Sequence, residues 1–383
     1  MIISALVAAG FLLAACGAAA TPTAVPPSGA VASDTPVANG PGSTATMLPE
    51  PSATEAPQPT ATEASMPTAT PLPTAPPQPT ATQKPAVTGE RISFAAGATS
   101  AAVEGNLAAQ GMQRYVLGVM AGQLMEVSVD PQDKVQLVVY GADGNVLKSG
   151  MGGAAFFRGT VPSTQDYIVE VKAGSEAVSY TLNVIIPLRI SFAAGATSAV
   201  ITGQLAAAQT QHYVLNIEEG QLLEVGVSPQ ESVRLVIYGA DGTVLKSGMG
   251  GGAFFRGTVP STQDYIVDVG PGTGAVSFTM DVIIPVRISF AAGATSASVE
   301  GHLSAHQTQY YVLGAAGGQT MEVNASPEGK VRLIIYGVDG TVLMSGMGEG
   351  ASFSGTLPSG QDYIVAVQAG PEAVNCSLEV SIQ

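Results

Sequence analysis

Short runs of alternating apolar and polar residues fill the chain from about residue 91 to its end, and Gly, Pro, Asn or Asp separates them. Alternation with a period of two predicts half-buried β-strands, and the separating residues are those that turns require. In the first stretch the pattern predicts eight strands: 103–107, 114–117, 124–129, 135–140, 145–148, 156–161, 167–171 and 178–185. The segment Gly141-Ala142-Asp143-Gly144 predicts a tight hairpin, because glycine accepts the positive φ that such a turn needs.

The whole pattern occurs three times. Arg91-Ile92-Ser93-Phe94 returns at Arg189 and at Arg287, and 68 of 98 residues are identical between the first two copies. Seven or eight strands in each copy predict an all-β protein with three tandem antiparallel β-sandwich, jelly-roll-like domains. We place these modules at 91–188, 189–286 and 287–383. Almost no linker separates them, which predicts a stiff array.

The amino terminus has a different character. Residues 1–15 form a short apolar run, too short to span a bilayer and typical of a signal peptide. The run ends in Leu13-Ala14-Ala15-Cys16-Gly17, which resembles a bacterial lipobox. That resemblance implies that Cys16 is acylated after cleavage. A plain secretory signal is the alternative, because Met1-Ile2-Ile3-Ser4 carries no basic residue.

Residues 16–90 contain the acylated Cys16 and a segment rich in Pro, Thr and Ala. Sixteen of the 26 prolines lie between residues 17 and 88, and aromatic residues are absent there. Such a composition buries too little apolar surface to offset chain entropy, so we expect a disordered tether.

Composition narrows the possible functions. The formal charge of −15 disfavours nucleic-acid binding, because phosphate backbones repel an acidic surface. Three His and two Cys leave little material for a metal site or a catalytic dyad. We therefore predict no enzymatic activity, no catalytic residues, no metal and no cofactor, with a calcium site in the acidic loops as an open alternative. Cys376 takes the place of Tyr180 and Phe278 and is predicted to be a buried thiol.

Acidic residues recur in the copies. We interpret Asp143, Asp241 and Asp339 as turn residues. We expect the carboxylates of Asp166, Asp264 and Asp362 to accept hydrogen bonds from the preceding turn.

A glycine-rich stretch with Met, Phe and Arg follows the hairpin in each copy. Glycines let a loop approach a partner closely, so we predict a candidate ligand-contact loop. The alternative is a long hairpin whose hydrophobic ends lie in the core. The residues of the candidate loop are Ser149, Met151, Arg158, Met249, Arg256 and Met347.

Motifs in the third copy carry a resemblance that holds along each module. These are Gly318-Gln319-Thr320-Met321-Glu322-Val323, Ser352-Phe353-Ser354-Gly355-Thr356-Leu357-Pro358 and Asp362-Tyr363-Ile364-Val365. They resemble the bacterial pre-peptidase C-terminal type of β-sandwich and the periplasmic inhibitors of goose-type lysozyme. The inhibitors are understood to present an Arg-rich loop between their last two strands. The corresponding segment here, 173–177, contains no Arg, so no inhibitory residue is transferred.

These observations together predict a monomeric protein anchored through Cys16 to the lipid of the cell membrane, on the extracytoplasmic face. Its modules are expected to bind an extracellular glycan or protein, or to act as a stalk. One alternative is an inhibitor of goose-type lysozyme. A second alternative is an accessory module of a secreted hydrolase system.

Overall fold

The computed structural model describes residues 88–150, 153–248, 252–346 and 350–383, which all lie in one compact unit. The predicted signal peptide, Cys16 and most of the predicted tether lie outside these residues. The described part is almost entirely β, and its one helical element is the single-turn 3₁₀ segment Gln230–Ser232. None of the helical structure in these ranges is long and apolar enough to cross a membrane.

Nine strands build each module. In module 1 they are β1 Glu90–Arg91, β2 Ser100–Leu107, β3 Met112–Val119, β4 Leu124–Asp130, β5 Val135–Gly141, β6 Val146–Lys148, β7 Phe156–Thr160, β8 Gln165–Ala173 and β9 Val178–Ile185.

Modules 2 and 3 repeat the set. Module 2 has β10 Leu188–Arg189, β11 Ser198–Leu205, β12 Gln211–Ile217, β13 Leu222–Ser228, β14 Val233–Gly239, β15 Val244–Lys246, β16 Phe254–Thr258, β17 Gln263–Pro271 and β18 Val276–Ile283. Module 3 has β19 Val286–Arg287, β20 Ser296–Leu303, β21 Thr308–Ala315, β22 Thr320–Ser326, β23 Val331–Gly337, β24 Val342–Met344, β25 Ser352–Thr356, β26 Gln361–Ala369 and β27 Val374–Ile382.

Each module is a sandwich of two sheets. In module 1 a five-stranded sheet has the order β1-β3-β8-β5-β6, and a four-stranded sheet has the order β2-β9-β4-β7. Strands from the two ends of the module therefore pair with each other, as in a jelly roll. The eight strands predicted from the sequence are all present, and the predicted three-sandwich, jelly-roll-like fold is confirmed.

The two-residue strand β1 was not predicted. It pairs parallel with β3, whereas every other pairing within the module is antiparallel. A two-residue run carries no periodic signal, so only its position after folding identifies it as a strand.

The core of each module lies between its two sheets, where alternate residues point inward. Met125, Val127 and Val129 of β4 are fully buried there. Tyr167 at the start of β8 is also fully buried and donates a hydrogen bond from its hydroxyl to the carbonyl oxygen of Ser163, at 2.8 Å. Burying the ring while satisfying the hydroxyl fixes the corner at which the chain enters β8.

Candidate functional site at the module joints

The modules meet through the outer faces of their sheets. Residues on β4 and β7 of module 1 contact residues on β12, β14 and β17 of module 2, and module 2 meets module 3 through the equivalent strands. The four-stranded sheet of one module therefore packs on the five-stranded sheet of the next. We call these two contact regions joint 1 and joint 2.

Arg158 is the central polar residue of joint 1. Its Nε donates to Oε2 of Glu126 at 2.7 Å, and its Nη1 donates to the carbonyl oxygen of Ala240 at 3.3 Å. The guanidinium carbon lies 5.1 Å from the ring centroid of Phe156 and 4.9 Å from that of Tyr238. Glu126 and Phe156 belong to module 1, whereas Tyr238 and Ala240 belong to module 2. Arg158 therefore contacts both modules at once. It forms an ion pair with Glu126, cation–π contacts with two aromatic rings and a hydrogen bond with the carbonyl of Ala240.

An apolar cluster lies beside this arginine. It consists of the buried residues Leu124, Val214 and Ile266, with Tyr238 and Ala240 packed against them. Val214 and Ile266 face outward from their strands, and each is only 1% exposed in the chain. Leu124 of module 1 packs on them in joint 1.

Two backbone contacts complete joint 1 at the start of β12. The side-chain amide of Gln211 donates to the carbonyl oxygen of Gly97 at 2.7 Å, and the backbone N–H of His212 donates to Oγ1 of Thr99 at 2.9 Å. His212 also contacts Asp268 of its own module, with Nδ1 and Oδ1 2.7 Å apart. The two hydrogen bonds to Gly97 and Thr99 fix the position of module 2 relative to module 1 along the direction of β12.

Joint 2 repeats the same arrangement. Nε of Arg256 donates to Oε2 of Glu224 at 2.6 Å, and its guanidinium carbon lies 5.0 Å from the ring centroid of Phe254 and 4.6 Å from that of Tyr336. The hydroxyl of Tyr336 also donates to Glu224, at 3.4 Å. The apolar cluster here is Leu222, Val312 and Ile364, with Tyr310, Tyr336 and Val338 packed against it.

The two joints differ where His212 of module 2 corresponds to Tyr310 of module 3. The backbone N–H of Tyr310 donates to Oγ1 of Thr197 at 2.8 Å, as that of His212 does to Thr99. Burial raises the pKa of the Tyr310 hydroxyl to about 12, and the charges of Glu224 and Asp281 add to the effect. Tyr310 is therefore neutral across the physiological range and packs as an apolar ring.

The first module has charged residues at the equivalent position of its outer face. Glu170 is buried and accepts from Nε of Arg114 at 2.7 Å and from the Tyr140 hydroxyl at 2.9 Å, and Nζ of Lys172 lies 3.0 Å from its other oxygen. Burial alone would raise the pKa of Glu170, but these three donors outweigh it and hold the pKa below its ordinary value.

The predicted ligand-contact loop is divided between different places. Met151, Met249 and Met347 lie outside the described residues. Ser149 is exposed and follows the edge strand β6 of the five-stranded sheet. Arg158 and Arg256 lie in the joints, where their side chains are only 14% and 12% exposed. Contact of this loop with an external ligand remains a prediction, and the two arginines already have partners inside the chain.

The expected role of Asp166, Asp264 and Asp362 was wrong. Each carboxylate accepts from the arginine at the start of its module, in the pairs Arg91–Asp166, Arg189–Asp264 and Arg287–Asp362. The side chain of the preceding glutamine bonds the turn instead: Oε1 of Gln165 accepts from the N–H of Asp143 at 3.0 Å. The neutral side-chain amide of Gln165 therefore makes the hydrogen bond to the turn that we expected of the carboxylate. The carboxylate of Asp166 pairs with Arg91 instead.

The remaining candidates for chemistry are dispersed. Cys376 is a buried free thiol, as predicted, and burial raises its pKa. His302 and His306 are both exposed, and Nδ1 of His302 lies 2.8 Å from Oδ1 of Asn375. In the part of the chain that the structure describes, no three His, Cys, Asp or Glu residues lie close enough to hold a metal ion.

A wide, open hollow of about 730 Å³ lies along β11 and β18 of module 2. Its lining is neutral and consists of Thr202, Gly203, Gln204, Ser228, Pro229, Ser277, Phe278 and Thr279. In module 1 the equivalents of Thr202 and Ser228 are the acidic residues Glu104 and Asp130. The hollow offers hydroxyl and amide groups but no side chain that could exchange a proton near neutral pH.

The joints were missed at the level of the sequence, although one signal points to them. Arg158 and Arg256 are identical in the first two copies, whereas the third copy has Ser354. A residue that disappears only from the last of three near-identical copies indicates a contact that the last copy does not make.

Comparison with known proteins adds a limited likeness. No family model matches the chain, and no curated protein matches it. Periplasmic inhibitors of g-type lysozyme from Aeromonas hydrophila and Salmonella Typhimurium are similar in structure, with 28% and 19% sequence identity and TM-scores of 0.23 and 0.21. Each match covers 26% of this chain, about one module, and 96% and 97% of the inhibitors.

The CUB1-EGF-CUB2 segment of human MASP-1/3 matches 49% of the chain and 99% of its own length, with 8% identity and a TM-score of 0.18. At TM-scores this low, neither this segment nor the inhibitors assign a function to the chain.

Proposed function

We propose that this protein is a non-enzymatic, lipid-anchored surface protein on the extracytoplasmic face of the cell membrane, and that its modules form a stiff spacer. The observation that carries the proposal is the arginine clamp, which occurs at both joints. Arg158 and Arg256 each bridge two modules with an ion pair and two aromatic rings. Modules that only needed a flexible connection would not require such contacts.

The covalent connection supports the same conclusion. Only two residues separate β9 from β10, and only two separate β18 from β19. A connection this short leaves little freedom of rotation, and the clamp opposes the rotation that remains. We therefore expect the distance between module 1 and module 3 to be narrowly distributed.

Spin labels on modules 1 and 3 test the spacer. We would introduce Ser175→Cys and Ala373→Cys, both in exposed loops, into a chain that carries Cys16→Ser. Pulsed electron–electron double resonance should give one narrow distribution of the distance between the two spin labels. Adding Arg158→Ala and Arg256→Ala should broaden it severalfold, because both clamps are lost.

The matched control is Arg234→Ala, which removes an exposed arginine of module 2 and should leave the distribution unchanged. A broad distribution in the chain that retains both clamps would contradict a stiff spacer. An unchanged distribution after loss of both arginines would show that the clamps do not hold the modules.

The lipid anchor requires a separate experiment. Cells grown with an alkyne-tagged palmitate should label the protein, and Cys16→Ser should abolish the label and release the protein from the membrane fraction. Cys376→Ser is the control, because that thiol is buried in module 3. Labelling that survives Cys16→Ser would exclude acylation at this cysteine.

The neutral hollow of module 2 favours a second candidate function, the binding of a neutral extracellular glycan. Hydroxyl and amide side chains bind sugar hydroxyls without requiring charge. Pull-down on insoluble cell-wall glycans should retain the protein, and Thr279→Glu should weaken retention by placing a carboxylate in the hollow. Equal retention of the variant would exclude this hollow as the site.

Inhibition of goose-type lysozyme and assistance to a secreted hydrolase are the remaining alternatives. The loops that join β8 to β9, β17 to β18 and β26 to β27 contain no arginine in any of the three modules. A muralytic assay with excess protein tests inhibition directly, and undiminished lysozyme activity would exclude it. Stimulation of a hydrolase on an insoluble substrate would favour the accessory role.

A further inference from the structure

The outer face of module 3 carries different residues from the outer faces that form the joints. In each joint we call the outer face of the four-stranded sheet of the first module the donor face, and the outer face of the five-stranded sheet of the next module the acceptor face. The donor faces of modules 1 and 2 carry a leucine, a phenylalanine and the clamp arginine. In module 3 all three are replaced by small polar residues. The three sets are Leu124, Phe156 and Arg158; Leu222, Phe254 and Arg256; and Thr320, Ser352 and Ser354.

The glutamate that pairs with the clamp is nevertheless retained. Glu322 occupies the position of Glu126 and Glu224, but without the arginine it is exposed. A hollow of about 310 Å³ opens beside it, lined by Glu322, Asn324, Ser352, Phe353 and Ser354. Module 3 therefore retains the glutamate of a joint, but it lacks the leucine, phenylalanine and arginine side chains that pack beside it in joints 1 and 2.

Other residues agree with this difference. Thr99 and Thr197, which accept from the following module, are buried, whereas their equivalent Thr295 is exposed. At the opposite end, module 1 retains Val116, Ile168 and Tyr140, the equivalents of docking residues of module 2. Its rim carries Arg114, Glu170 and Lys172 where module 2 has His212, Asp268 and Gly270.

We propose that the donor face of module 3 and the acceptor face of module 1 do not bind each other, and that they thereby prevent head-to-tail association with a second copy of this chain. The leucine, phenylalanine and arginine of the donor face are the docking determinants, and module 3 lacks them. The docking that joins modules within a chain is a contact between two different faces. Repeated between chains, such a contact does not close and would continue into a fibre. Repeat arrays commonly prevent this by a polar outer face on the terminal repeat.

The first test restores docking. A variant with Thr320→Leu, Ser352→Phe and Ser354→Arg also receives Arg114→His, Glu170→Asp and Lys172→Gly, so that both ends match joint 1. Size-exclusion chromatography with light scattering on the full chain, in one detergent throughout, should show a mass that rises with concentration in steps of one chain. The wild-type chain should keep the mass of a monomer.

Specificity is tested by adding Tyr140→Ala to this variant. Tyr140 is the equivalent of Tyr238 and Tyr336, whose rings contact the clamp, so its loss should return the mass to that of a monomer. Association that persists would mean sticking through another surface, and the proposal would be wrong. A variant that stays monomeric while melting like the wild type would overturn it as well.

The second test abolishes docking and does not depend on the first variant folding. Leu222→Thr, Phe254→Ser and Arg256→Ser give module 2 the donor face of module 3. Spin labels at Thr273→Cys and Ala373→Cys should then show a distance distribution several times broader than in the parent chain. An unchanged distribution would show that these residues do not determine docking.

These outcomes are separable from those of the spacer proposal. A stiff array whose ends associate in the wild type would contradict the proposal that the two end faces do not bind each other, and it would leave the spacer proposal intact.

Discussion

The inner and outer faces of the sheets differ in how they vary among the modules. On the inner face, Tyr167, Tyr265 and Tyr363 are all fully buried, and each donates to a serine carbonyl four residues earlier. On the outer face, one position is Arg114 in module 1, His212 in module 2 and Tyr310 in module 3. The core tyrosine is kept in every module because each module folds in the same way. The outer-face position has a different residue in each module, as each has a different neighbour.

This comparison separates two kinds of retained residue in an array that has diverged little. Residues common to all three modules include the core tyrosines and also the valine, isoleucine and tyrosine that each joint takes from the five-stranded sheet. The leucine, phenylalanine and arginine on the opposite side of each joint are common to modules 1 and 2 and are lost in module 3. Loss of a residue from the last module alone therefore indicates that the residue serves the contact between modules, whereas a residue kept in all three serves either the fold or a contact.

The largest effect is expected for a cavity in an inner face. Leu182 of β9 is fully buried, and Leu182→Ala should lower the free energy of unfolding of module 1 by about 2–5 kcal/mol. Chemical denaturation followed by tyrosine fluorescence measures this. Loss of less than about 1 kcal/mol would mean that the core relaxes around the cavity.

A smaller effect is expected at joint 2. Arg256→Ala removes an ion pair and two ring contacts, and it leaves Glu224 without its arginine. We expect the coupling between modules 2 and 3 to fall by about 2–3 kcal/mol, so that calorimetry resolves separate transitions. Arg234→Ala is the matched control. A single transition unchanged in both variants would contradict the clamp.

The end face of module 1 should respond to pH. The pKa of folded Glu170 lies below its ordinary value of 4.5, so the ionised carboxylate stabilises the module at neutral pH. That contribution is lost as the pH falls through the folded pKa. Glu170→Gln should therefore lower the free energy of unfolding by about 1–2 kcal/mol at neutral pH, and by progressively less in acid. A difference that is constant across this range would exclude the carboxylate charge as the cause.

The smallest effect is expected for the exposed ion pair at the start of module 1. The Arg91 side chain is 58% exposed, and it bonds Asp166 at 3.0 Å. Arg91→Ala should change the free energy of unfolding by less than about 1 kcal/mol, since exposed pairs gain little in water. Thermal denaturation at low and high salt measures it, and a larger loss would mean that Arg91 also orders β1.

The sequence allowed prediction of the parts of the fold that depend on local patterns. Alternation within β4 and the Asp143-Gly144 turn are signals of a few residues, and the strands and the hairpin follow from them. The buried state of Cys376 followed from its alignment with Tyr180 and Phe278. The joints did not follow, because Arg158 meets Ala240 across 82 residues of chain. To a single module, Arg158 is an ordinary polar residue on an outer strand.

The absence of any gap among the three copies has a consequence for the genetics of the array. Joint 1 and joint 2 are built from residues at equivalent positions, and Val312, Ile364 and Tyr336 of module 3 are identical to their counterparts in module 2. The donor face of module 1 therefore also matches these residues of the acceptor face of module 3. Unequal recombination between the repeats could then delete or duplicate the middle copy and still produce compatible neighbours. The first and last copies would keep their terminal surfaces, and the gene would encode longer or shorter versions of one protein.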